Sequence, residues 1–249
     1  MIATSLGFLR SLAIYHNPLA LARWTRFYKG IITQGDLVFD IGAHVGNRSR
    51  AMRRAGGRVV AVEPQRPFST FLQRTLPPDI TVLDVAVGRE NTEATLAVSS
   101  RHPTVSTISA DFVRSGSSAT GFEHVAWDDA QVVEVVTLDD LIIRFGVPRY
   151  VKIDVEGAEA EVLAGLSQPL PLISVEYLPA MPDLGFALVD QLGAMGNTRF
   201  NVVVGETGAF LWRKWQSSGE VQAWLKQLAP DAQSGDLFAS RAETVGPGN

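Results

Sequence analysis

Four acidic residues stand where runs of apolar, mostly β-branched residues end. Asp40 follows Leu37-Val-Phe, Glu63 follows Val59-Val-Ala-Val, Asp84 follows Val82-Leu, and Asp154 follows Tyr150-Val-Lys-Ile. Such runs read as buried strands of a parallel sheet. A carboxylate at a strand end can accept hydrogen bonds from the hydroxyl or ammonium groups of a ligand. A strand, a glycine turn and a helix are how α/β folds build a small-molecule site at the carboxyl ends of their strands.

The first acid opens the stretch Asp40-Ile-Gly42-Ala43-His44-Val-Gly46-Asn47. Gly42 and Gly46 let the backbone turn sharply and approach a ligand. A helix over 48–55 follows, and its free N–H groups suit a carboxylate or phosphate. The dinucleotide fingerprint has three glycines, as G-x-G-x-x-G. Here the pattern is Asp40-x-Gly42-x-x-x-Gly46, and its acid would repel a pyrophosphate while accepting from an ammonium group. A ligand with both an amine and a carboxylate fits better, and the methionine half of S-adenosylmethionine is one. An ordinary tight turn with no ligand is the plainer alternative.

The other acids extend the pattern. Glu63, followed by Pro64, stands 21 positions after Gly42, where an acid holds both hydroxyls of a ribose. A solvent-facing strand-end glutamate is the alternative. Asp84, or the backbone at Val85, Ala86 and Val87, lies where an adenine amine would be met. Asp154 and Glu156 sit on adjacent turns and could bind an amine, act as a base, or hold a divalent metal through oxygen ligands. Helix capping accounts for Glu156 but not for Asp154. Asp154 is the first choice for base or metal ligand. Glu156 and Glu176, the latter ending the next strand, come after it; His102 and His124 are outsiders.

Composition narrows the classes. The chain has 249 residues, 46% hydrophobic and 19% charged, with net charge −4. That supplies ample core for one large or two small α/β domains and argues against a general nucleic-acid binder. With no cysteine, disulfides, thiol catalysis and cysteine metal sites are excluded. No two histidines have zinc-site spacing. No apolar run approaches the roughly 18 residues of a membrane span, and the N-terminus lacks the pattern of a secretory signal. The expectation is a soluble cytoplasmic protein.

The elements that must position these residues read as follows. Residues 5–29 carry apolar residues at helical spacing, broken at Asn17-Pro18, and predict two short helices covering the sheet over residues 1–34. Arg10, Arg23, Arg26 and Lys29 leave peripheral membrane contact as the alternative. Residues 35–240 form the main domain. A single third strand is expected over 80–88, and strands over 92–100 and 132–138. Between these lies a Ser-, Thr- and Gly-rich loop, 101–131, placed as a substrate lid, with Ser106 and Thr107 facing the cofactor. Thr137 caps the next helix. Helices follow over 158–166, 183–195 and 220–228, and strands over 172–177, 200–205 and 236–240. A hairpin is expected over 206–212, and 241–249 is a fraying tail.

Val-Phe-Asp-Ile-Gly-Ala-His-Val-Gly (38–46), Val-Glu-Pro (62–64), Ala-Val-Gly (86–88), Thr-Leu-Asp-Asp-Leu (137–141) and Lys-Ile-Asp-Val-Glu-Gly-Ala-Glu (152–159), in this order, resemble the FkbM family of S-adenosylmethionine-dependent methyltransferases. The resemblance covers about residues 30–205. It implies a class I, Rossmann-like α/β fold: a seven-stranded, mostly parallel sheet with helices on both faces and the last strand antiparallel. It also implies O-methylation of a hydroxyl, often on a sugar, glycan or natural product. By the same resemblance, Asp40, Gly42 and Gly46 match the cofactor turn, Glu63 the ribose acid, and Asp154, Glu156 and Gly157 the acidic motif beside the transferable methyl. His44 stands where the family often has Asn. The N-terminal helices and the 101–131 loop are least family-like and should set the acceptor. A non-catalytic cofactor-binding assembly protein is the alternative. An NAD-dependent oxidoreductase is disfavoured by the missing third glycine and by Asp40.

Overall fold

The computed structural model describes residues 17–116 and 124–241. Its strands, in chain order, are β1 (Leu37–Ile41), β2 (Arg58–Val62), β3 (Thr81–Leu83), β4 (Ala86–Val87), β5 (Thr92–Val98), β6 (Asp129–Val136), β7 (Tyr150–Ile153), β8 (Leu172–Tyr177), β9 (Arg199–Val204) and β10 (Gly235–Ser240). Its helices are α1 (Pro18–Tyr28), α2 (Asn47–Arg54), α3 (Arg66–Thr75), α4 (Ala110–Gly116), α5 (Leu138–Phe145), α6 (Glu159–Ala164), α7 (Pro182–Ala194) and α8 (Ser218–Leu225).

Seven strands form one sheet in the order β3-β2-β1-β7-β8-β10-β9. The first five are parallel, and β10 runs antiparallel between β8 and β9. This is the class I methyltransferase arrangement, a Rossmann-like sheet with its last strand reversed. The strand order turns back between β1 and β7, the switch point at which open α/β sheets place ligands.

The alternating faces of these strands explain two apolar layers. Phe39, Val60, Val151 and Ile173 meet Leu141 of α5, Val162 of α6 and Leu192 of α7. On the other face Val38, Val59, Tyr150 and Phe238 meet Trp24, Phe27 and Tyr28 of α1, Met52 of α2 and Leu72 of α3. A polar row interrupts this second layer beneath the site, because Asp40 pairs in register with Lys152 and Lys152 with Ser174.

Local signals read from the sequence set several boundaries. Pro18 begins α1, and the Asn17 side chain accepts from the Leu19 N–H. Thr137 and Asp140 form a capping box on α5, a pairing that satisfies two otherwise orphaned donors.

Three expectations differ from what is observed. The single strand over 80–88 is two: β3 ends at Leu83, and β4 leaves the main sheet to pair with β6 in a second, three-stranded sheet. The segment over 206–212 is not a strand hairpin. It folds back on edge strand β9 through isolated bonds, Leu211 N–H to the Val202 carbonyl and Asn201 Nδ2 to the Trp212 carbonyl. Gly205 and Gly208, at φ 50° and 59°, break its extended course. The 101–131 region carries structure of its own, a 3₁₀ turn at Pro103–Val105 and α4.

The apolar face of α1 is buried in the core, while Leu19 is 79% exposed. The first expected N-terminal helix, the middle of the lid (117–123) and residues 242–249 of the tail lie outside the described residues. Among the described residues no helix is long and apolar enough to cross a membrane.

Candidate active site

The carboxyl ends of β1, β2 and β7, the turn before β4, and the segment from Pro103 to Ile108 enclose a cleft of about 970 Å³, counted with its open mouth. One end is apolar, walled by Val85, Ala86, Val87 and Leu96. Asp84 is exposed and stands outside this wall.

Glu63 marks the middle of the cleft. It is 7% exposed, and its carboxylate accepts from the His44 N–H at 2.8 Å and the Gln65 N–H at 2.9 Å. Each oxygen keeps a lone pair for a further donor. Burial pushes the Glu63 carboxyl up to about 7 against the pull of those two N–H groups. Gln131 of β6 clamps the following turn, donating to the Pro64 carbonyl and accepting from the Arg66 N–H.

The turn after β1 is set by close approach. Gly42 has φ 83°, and a Cβ there would lie 1.8 Å from the Asp154 carbonyl oxygen. His44 has φ 48° and its ring lies 4.4 Å from that of Phe68. Residues with a short or planar polar side chain, Asn and His among them, are enriched at positive φ. The backbone thus explains why Asn or His suits this position. Burial holds the His44 imidazole down at about 4, so it is neutral at pH 7. Ala43 and Asn47 line the cleft beside it. Asp40 and Gly46 lie behind the wall. Asp40 is fully buried, accepts from Ser49 Oγ of α2, and its Oδ1 has no hydrogen-bond partner among the described residues.

The other end of the cleft is charged. Lys152, 2% exposed, donates to Asp154 at 2.5 Å. Burial alone would raise the Asp154 carboxyl, but Lys152 outweighs it and holds Asp154 below the ordinary range. Glu156 follows at φ 55°, a costly conformation for a residue with a Cβ. Burial, with Asp154 and Glu159 nearby, raises its carboxyl well above the usual value. Burial and Glu156 raise Glu176 likewise. Asp154, Glu156 and Glu176 each bring one oxygen within 4.8 Å of the others. Three such oxygens could share a proton or hold a hard divalent cation.

Gly157, at φ 83°, lies under Phe112 of α4, and a Cβ there would stand 2.2 Å from the ring. Thr104, Ser106 and Thr107 also line the cleft, and Thr107 pairs with Ala97 of β5, next to Leu96 of the apolar wall. His102 and His124 pack on each other with ring centroids 4.7 Å apart, away from the cleft wall.

Three charged wall residues were not singled out from the sequence: Arg48, Lys152 and Glu206. A lysine inside the apolar run Tyr150-Val-Lys-Ile was a usable signal for Lys152. Arg48 was hidden among the basic residues of α2. Glu206 lies on a turn far along the chain and had no signal.

The family model for the methyltransferase FkbM domain matches residues 40–229. The chain belongs to the FkbM methyltransferase family. It is thus an S-adenosylmethionine-dependent methyltransferase. No curated protein matches it. Solved structures resemble it distantly. A precorrin-6y C5,15-methyltransferase from Geobacter metallireducens GS-15 is 13% identical over 88% of this chain and 87% of its own, with TM-score 0.45. A TehB-like methyltransferase from Corynebacterium glutamicum is 11% identical over 94% of each chain, with TM-score 0.46. The magnesium protoporphyrin IX methyltransferase of Synechocystis PCC 6803, solved with its cofactor, is 10% identical over 94% of this chain and 84% of its own, with TM-score 0.45.

The residues of this FkbM chain fit the cofactor in kind. An apolar wall suits adenine, a buried glutamate with free lone pairs suits the ribose diol, and a mixed-charge end suits a zwitterionic amino acid.

Ionised Glu63 is the better acceptor for two hydroxyls. S-adenosylhomocysteine affinity is therefore expected to rise about tenfold from pH 6 to pH 8, as the ionised fraction grows. The sign for stability is opposite. A carboxyl raised in the folded state contributes stability below its unfolded value and loses it as pH rises through about 7. Glu159 is also pushed up to about 7 by burial. Calorimetric titration of wild type against Glu63→Gln isolates the Glu63 part, and a wild-type curve flat over this range would contradict it.

Proposed function

We propose that this methyltransferase acts on a hydroxyl group, of a sugar, a glycan or a glycosylated natural product, in the cytoplasm. One observation carries the reading. Glu156 lines the charged end of the cleft and brings a carboxylate oxygen within 4.8 Å of oxygens of Asp154 and Glu176, and such crowded acids favour holding a proton. A hydroxyl gives up its proton as its oxygen is methylated, and a positioned carboxylate can receive it.

Bound S-adenosylmethionine supplies an electrophilic methyl group on a sulfonium. Glu156 receives the acceptor's hydroxyl proton at its carboxylate. Asp154, held ionised by Lys152, is the weaker base of the two and suits the ammonium group of the ligand. Thr104 and Ser106 offer hydroxyls to a polyol acceptor, and Phe112 of α4 covers Gly157 beside Glu156. If the three carboxylates hold a cation, it would sit beside the same oxygen, and chelation would then abolish turnover.

The test supplies the cofactor with a carbon-13 methyl group together with a panel of methyl glycosides and oligosaccharides. The expected product is a labelled methoxy group seen by NMR, formed by wild type and lost in Glu156→Gln. Label appearing on nitrogen or carbon would overturn the hydroxyl assignment. No transfer by a protein that binds S-adenosylhomocysteine would favour a non-catalytic binding protein.

A further inference from the structure

Arg48 lies in the first turn of α2, directly after the cofactor turn, and is 8% exposed. Its guanidinium carbon stands 3.2 Å above the Trp24 ring. Its two terminal nitrogens donate to the two carboxylate oxygens of Glu206, at 3.1 and 2.9 Å. Trp24 Nε1 adds a third donor to Glu206 Oε2 at 2.6 Å. Together these make a built carboxylate site: a planar fork, stacked on an aromatic face, with an indole N–H beside it.

The occupant of that site is loosely held by everything else. The Glu206 side chain is 49% exposed, against 10% for Arg48. It stands on a turn flanked by Gly205 and Gly208, both at positive φ. Both Arg48 and Glu206 border the cleft, at the end opposite the apolar wall. A nucleoside laid with its base on that wall and its ribose at Glu63 directs its amino-acid tail to this end. The tail's ammonium group has Asp154 to meet. Its carboxylate has Arg48, and a single fork takes one carboxylate in bidentate fashion.

We propose that Glu206 is an internal stand-in for the cofactor's carboxylate. It occupies the fork of Arg48 in the free protein, and the amino-acid end of S-adenosylmethionine displaces it. This rests on the cofactor reading above and adds to it a competing residue. Removing the competitor must tighten the cofactor, whereas removing the fork must weaken it. Neither change should touch a ligand without the amino-acid tail.

The experiment is calorimetric titration of the full chain with S-adenosylhomocysteine and with methylthioadenosine, which keeps the adenosine and lacks the amino-acid end. Glu206→Gln is expected to bind S-adenosylhomocysteine several-fold tighter than wild type, with methylthioadenosine unchanged. Arg48→Gln is expected to weaken S-adenosylhomocysteine about tenfold to a hundredfold, again sparing methylthioadenosine. Arg48→Lys, which keeps the charge and loses the fork, serves if Arg48→Gln does not fold, with a loss in the same direction. Unchanged or weakened S-adenosylhomocysteine binding in Glu206→Gln overturns the inference, as does equal weakening of both ligands by the Arg48 change. Binding of neither ligand by wild type would overturn the cofactor reading along with it.

Discussion

Glu156→Gln is expected to lower kcat by about 10²- to 10⁴-fold, the usual worth of a positioned general base. The cause is specific. Burial and the neighbouring Asp154 raise the Glu156 carboxyl, and Gln has the same shape without the proton affinity. S-adenosylhomocysteine affinity and thermal stability should change little. In wild type, kcat should rise with pH through a value above the ordinary glutamate range, because only the ionised form accepts a proton. Asp154→Asn should behave differently. It leaves the Lys152 ammonium, 3% exposed, without its hydrogen-bond partner; because the Asp154 side chain is 36% exposed, the loss of stability should fall short of the about 3–5 kcal/mol of a fully buried pair. Rates, melting temperatures and titrations of the two variants separate these outcomes. A fully active Glu156→Gln would remove Glu156 from the chemistry.

Gly42→Ala should damage both the fold and the site. The added methyl would lie 1.8 Å from the Asp154 carbonyl oxygen, a backbone atom with little room to yield, and φ at this position is 83°. Overpacking and an unfavourable φ each cost about 1–3 kcal/mol. Relief of the clash must part the turn after β1 from the turn after β7, which together form the cleft floor. Urea unfolding should show a loss of about 3 kcal/mol or more, and S-adenosylhomocysteine should no longer bind measurably. A variant with wild-type stability and affinity would mean that the two turns are not packed as described.

Much of this could be read from residue order. Apolar runs ending in acids gave β1, β2, β7 and β8, because buried parallel strands leave a strong local signature. The positions of Glu63 and Glu156 on the cleft follow from strand ends that must share one sheet edge. Other features depend on the tertiary fold. Ile80 to Gly88 reads as one strand, yet β4 is only two residues long and is claimed by β6. Asp40 and Asp84 read as strand ends like Glu63, yet Asp40 lies inside β1, buried against Ser49, and Asp84 is exposed. Their orientation is set by the strand's face and by the chain's departure from the sheet, which spacing does not encode. The pairing of Arg48 with Glu206 joins residues 158 positions apart. Only the assembled sheet, whose order sets β9 on the far side of β7 and β8, brings α2 beside the turn after β9.

The most direct test is a crystal structure of the full chain with S-adenosylhomocysteine. The adenine is expected against Val85 to Val87, both ribose hydroxyls on Glu63, the amino-acid carboxylate in the fork of Arg48, and the sulfur facing Glu156. A ligand bound in the reverse sense, with its base at the charged end, or a sulfur remote from Glu156, would contradict this placement.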